Sequence, residues 1–139
     1  MSMKIRPEIS VRNKYWIDKH RHYELKHFCL QYPEWKRVYN EFNDPSMPLS
    51  MIERVSTSNL PGDPTAKRAM MKTVYAEKMH LIEKTARNAD TYLWEYILKA
   101  VTENLSYNHL KSKFDIPCGK DMYYDRYRRF FWLLSEARN

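Results

Sequence analysis

Apolar residues recur at intervals of three and four along most of this chain, and glycine occurs only twice, at Gly62 and Gly119. The first feature is the period of an amphipathic helix, and no stretch alternates apolar with polar residues as a half-buried strand does. The second removes the residue on which tight hairpin turns and phosphate-cradling loops depend. Together they predict an all-α fold. A length of 139 residues suits one domain, or one domain with a docked arm.

Prolines and capping residues divide the chain. Met1 to Ser10 carries Pro7 without periodicity and is expected to be a loose tail. A first helix is predicted from Val11 to Tyr32, with Tyr15, Trp16, Tyr23, Leu25, Phe28 and Cys29 as its apolar and aromatic positions. Pro33 ends it, and Pro33-Glu34-Trp35 opens a second helix to about Phe42, with Trp35, Val38, Tyr39 and Phe42 on one face. Residues 1–42 thus form an N-terminal helical hairpin. Residues 43–62 hold Pro45, Pro48, Pro61 and Gly62 and are predicted to be an irregular linker, with an optional helical turn from Leu49 to Val55.

Residues 63–139 form the C-terminal helical domain. Asp63-Pro64 has the chemistry of a helix start, a capping carboxylate followed by proline at the first helical position. That helix is expected to reach about Arg87 with Ala66, Met70, Val74, Leu81 and Ile82 inward. Asp90 caps the next, which buries Leu93, Ile97 and Val101 and ends near Thr102. Ser106 then caps a short helix from Tyr107 to Phe114. After the turn Asp115 to Gly119 comes a long final helix whose inward stripe is Tyr123, Tyr127, Phe130, Leu134 and Ala137. Ile97, Val101, Leu105, Leu110, Phe114 and Ile116 close a three-helix core.

The formal net charge is +7. A basic excess of this size favours a polyanionic partner, because cations that meet phosphates release condensed counterions. Helix, turn and helix over about residues 93–137 match a helix-turn-helix, in which the second helix offers its N-terminal residues to base edges in the major groove. Lys120, Tyr124 and Arg128 recur every four residues opposite the apolar stripe, with Asp121 and Arg129 beside them. Asp121 fits such a set because a carboxylate accepts from cytosine N4. Lys111 and Lys113 on the preceding helix would hold the backbone. The bland alternative is a solvated helix in an ordinary bundle.

Residues 96–129, YILKAVTENLSYNHLKSKFDIPCGKDMYYDRYRR, resemble the region-4 helix-turn-helix of bacterial sigma factors. The stretches KYWIDKHR (14–21), ELKHFCLQYPEW (24–35) and PGDPTA (61–66) are similar to small phage and prophage proteins, the ArpU- and RinA-like late-transcription regulators. The resemblance implies a virus-encoded regulator of transcription that binds double-stranded DNA and works with host RNA polymerase, and because such readers commonly bind as dimers, self-association through the hairpin as a homodimer is a further expectation.

Other chemistry finds little support. His20, His22, His27 and Cys29 share a helix but not the i, i+4 spacing of a zinc pair, so no metal is expected. Cys118 beside Gly119 at a helix start would gain thiolate character from the helix dipole and Lys120, yet it has no partner base. No catalytic motif, P-loop or cofactor fingerprint is present, so neither an enzyme nor a cofactor is expected. Two separate cysteines, no apolar leader and no membrane-length run suggest a cytoplasmic, nucleoid-associated protein without membrane contact. Trp16, Tyr23, Trp35 and Tyr39 are either core or a partner surface. Two further readings stay open: a module that binds a host polymerase, packaging or defence protein, and a small terminase-type packaging protein.

Overall fold

The computed structural model describes residues 12–42 and 63–139. Among them every regular element is a helix: α1 (Lys19–Leu30), α2 (Tyr32–Glu41), α3 (Pro64–Ala89), α4 (Trp94–Glu103), α5 (Tyr107–Phe114) and α6 (Lys120–Ala137). The expected tail, the linker and the turn from Leu49 to Val55 lie outside the described residues. The remaining chain forms two compact units, one of residues 12–31 with Ile82–Asn139 and one of Tyr32–Leu81. These limits do not coincide with the proline-marked boundaries at 42/43 and 62/63.

In the first unit α1 packs on α4 and α6, and α4 packs on α5 and α6. Helix α1 begins later than Val11, because Asp18 caps it: its side chain accepts from the His20 N–H at 3.0 Å and its carbonyl from the His22 N–H at 2.9 Å. Tyr15 and Trp16 therefore precede the helix. They sit in a tight turn where Asn13 accepts from the N–H groups of Tyr15 (2.8 Å) and Trp16 (3.0 Å). The buried stripe of α1 is His22, Leu25, Phe28 and Cys29.

The start of α4 and the middle of α6 meet at one carboxylate. Asp90 Oδ1 accepts from the N–H groups of Tyr92 and Leu93, both at 2.8 Å, and Oδ2 accepts from Arg126 Nε at 2.8 Å. Burial alone would raise this pKa, but the two backbone bonds and the guanidinium outweigh it and hold the carboxyl below its ordinary value. Leu93, Ile97, Leu110, Ile116, Phe130 and Leu134 are fully buried, and Tyr123 and Phe131 nearly so. Two expected core positions fail: Ala137 is exposed at the end of α6, and Phe114 is 39% exposed at the end of α5.

In the second unit α2 buries Tyr32, Trp35 and Val38, and Phe42 just after it is buried with its ring 6.2 Å from that of Tyr75. Asp63 caps α3 through the Ala66 N–H at 3.1 Å, and Pro64 is its first helical residue. The buried apolar residues of α3 are Met71, Tyr75 and Met79 in this unit, and Ile82, Ala86 and Ala89 in the first. Met70, expected inward, is 42% exposed. The actual row starts one residue later, at Met71, and Val74 and Leu81, also expected inward, are half-buried.

Candidate nucleic-acid interface

Helix α5 is short, so its ends decide its orientation. Asn104 enters the left-handed region at φ 57°, and the Leu105 N–H returns to the Ala100 carbonyl at 3.0 Å, ending α4. Ser106 Oγ then accepts from the His109 N–H at 3.1 Å. Only Tyr107 and Leu110 of α5 are buried, which leaves Asn108, His109, Lys111, Ser112 and Lys113 exposed.

The turn after α5 is built as firmly as the helices. Asp115 adopts φ 51°, a conformation that Asp tolerates better than most residues. Ile116 plugs the core, and its N–H reaches the Leu110 carbonyl at 3.3 Å. Around Pro117 the Cys118 N–H donates to the Ile116 carbonyl at 2.9 Å, and the Tyr107 hydroxyl donates to the Cys118 carbonyl at 2.6 Å. Burial, followed by the charge of Asp90, pushes the Cys118 thiol above its ordinary pKa. That is opposite to the thiolate character expected from its place at a helix start.

The seven sequence-predicted contact residues separate into two groups. Lys111, Lys113, Lys120 and Asp121 are exposed on α5 and the first turn of α6. Lys111 donates to the Ile116 carbonyl at 3.3 Å and lies 3.9 Å from Asp115, so its charge is partly committed. Lys113 and Lys120 have no acidic partner among the described residues. Tyr124, Arg128 and Arg129 are half-buried instead. Tyr124 packs against Tyr123 and Tyr127, with centroids at 5.0 and 5.9 Å. Arg129 donates to the Tyr15 hydroxyl at 3.3 Å and to the Asn88 carbonyl at 3.4 Å. The face read as a continuous outer stripe is thus interrupted after the first turn of α6, where residues 15–21 pack alongside it.

The aromatic partner surface also divides. Trp16 is 39% exposed, whereas Trp35 is 4% exposed with Lys78 Nζ 5.3 Å above its ring, so Trp35 is core rather than surface. Tyr23 and Tyr39 are half-buried, Tyr39 beneath Lys72 Nζ at 5.4 Å. Among the described residues no group of three His, Cys, Asp or Glu could hold a metal ion, and no helix is long and apolar enough to cross a membrane.

His22 is the buried polar residue that periodicity did not mark. Its ring lies 4.7 Å from Phe131 and 6.2 Å from Tyr127, and its Nε2 has no hydrogen-bond partner. Burial, with the nearby Lys26 charge, pushes its pKa down to about 4. The available signal was its spacing of three from Leu25 and seven from Cys29, which puts it on the same stripe.

No protein-family model matches the chain, and no curated protein or solved structure matches it.

Proposed function

We propose that this chain is a double-stranded-DNA-binding regulatory protein whose contact surface is α5 with the first turn of α6. The observation that carries the reading is the pair Lys113 and Lys120, two exposed cations without acidic partners on either side of a turn fixed by its own hydrogen bonds. A rigid turn between two cations suits phosphate contacts that set the register of a helix start on a duplex. Asp121 beside Lys120 supplies an acceptor for a base edge. Lys111 is a secondary contact because its charge is shared with Asp115. Regulation of transcription, a phage origin and host RNA polymerase as a partner rest on the resemblance to sigma region 4 and to phage late regulators.

The test is binding to duplex DNA at a series of salt concentrations, for the parent chain and for Lys113→Ala/Lys120→Ala. Two lost phosphate contacts lower the salt slope by about two. A folded parent that ignores duplex DNA at low salt refutes the proposal. In that case the exposed Phe114 and Met122, 39% and 45% accessible beside the same turn, favour the protein-interaction reading.

A further inference from the structure

The residues that drop out of the duplex surface gather elsewhere. Arg128, Trp132 and Ser135 follow one another along one side of α6 at spacings of four and three. Arg21 bonds Ser135 twice, Nε to Oγ at 3.1 Å and Nη2 to the carbonyl at 3.0 Å, and the Tyr15 ring lies 6.0 Å from that of Trp132. Residues 15–21 therefore run beside this row. Arg128, one turn before Trp132, has its Nε buried with no hydrogen-bond partner. Lys14 Nζ stands 5.0 Å over the Tyr15 ring and is exposed, and Trp16 next to it is 39% exposed.

Three of the four acids nearby are already committed, the fourth being Glu136, exposed one turn after Trp132. Asp125 pairs with Arg126, Glu24 with Arg21, and Asp18 caps α1. Apart from Glu136, what remains is cationic and aromatic: Lys14, Arg128 and Arg129 with Tyr15, Trp16 and Trp132.

We infer that this surface binds single-stranded nucleic acid, with Lys14 and Arg128 on phosphates and the Trp16 indole as a platform on which a base stacks. Cations interleaved with an accessible ring are what a flexible strand needs, since every base has a face to stack while its backbone tracks the positive charge. A duplex keeps its bases stacked on one another and gains nothing from Trp16. The site uses none of the four exposed residues of the duplex surface, so either reading can fail alone.

The experiment measures anisotropy of labelled oligo(dT) and of a mixed-sequence duplex of equal length, with the full chain, two single variants and one double variant. Trp16→Ala and Lys14→Ala are expected to weaken oligo(dT) binding, the first by at least about tenfold, and to leave duplex binding unchanged. Lys113→Ala/Lys120→Ala is expected to do the reverse. Helical circular dichroism checks that each variant is folded. Oligo(dT) binding that survives both Trp16→Ala and Lys14→Ala overturns the inference, as does oligo(dT) binding lost only in the Lys113/Lys120 variant. Binding of heparin without binding of oligo(dT) also overturns it, because it reports charge with no stacking.

Discussion

Arg126 reaches from α6 to Asp90 at 2.8 Å, and the second oxygen of the same carboxylate accepts from the N–H groups of Tyr92 and Leu93 in the turn just before α4. One side chain thus holds the turn that leads into α4 and ties it to α6. Asp90→Ala removes both turn bonds and leaves Arg126 with Asp125 alone, a loss of about 2–3 kcal/mol. Arg126→Ala is milder, about 1 kcal/mol, since the turn bonds survive and the guanidinium is partly solvated. Urea unfolding of the two variants checks the order.

His22 makes the fold acid-sensitive. The unfolded chain takes up a proton near the ordinary value of 6.5, whereas the folded ring does so only near 4. Stability therefore falls as pH drops through that window, by up to about 3 kcal/mol, and the loss levels off once the folded ring protonates. The depressed Asp90 carboxyl extends the decline in the same direction below its ordinary 3.8. Melting temperatures from pH 7 to pH 4 trace the curve, and His22→Leu flattens its upper part.

The tryptophans separate core from surface. Trp35→Ala opens a cavity and costs about 3–5 kcal/mol, while Trp16→Ala changes stability by about 0.5 kcal/mol or less. Denaturant midpoints of the two variants decide this directly. A large loss at Trp16 would mean that its ring is a packing residue.

Asn104 and Asp115 hold left-handed backbone without glycine. Asn104→Ala costs about 1 kcal/mol because a Cβ without a compensating polar group strains that conformation, whereas Asn104→Gly is neutral or slightly stabilising. Thermal melts of the pair test the sign.

Both thiols react sluggishly in the native state. Burial raises the pKa of Cys29 and, less strongly, of Cys118, and only Cys118 is partly accessible. Native alkylation should label Cys118 alone, at a pH above that of a free thiol, and unfolding should expose both.

Local chemistry in the sequence was sufficient for the elements of the C-terminal half. Asp63, Ser106 and the span Tyr107–Phe114 act as their capping rules require, whereas Asp90, expected to cap the next helix, holds the turn before it and Leu93 is the N-cap. Side-chain direction was harder where helices pack through unusual residues. His22 looked polar and is core, and Met70 looked apolar and is exposed beside the buried Met71. The outer face of α6 was misjudged after its first turn for a different reason. Helical geometry gives a face without saying what covers it, and the neighbours of Arg129 come from Tyr15 and Asn88, far away in the chain.

That distance sets the order of events during synthesis. The Arg21–Ser135 bond joins residues 114 positions apart, and α1 rests on α4 and α6. At ribosomal speeds on the order of ten residues per second, the apolar stripe of α1 waits roughly ten seconds for the surface that will cover it. Leu25, Phe28 and Cys29 therefore stay uncovered until that surface is made, and assembly of this unit follows translation of Ser135 rather than accompanying it.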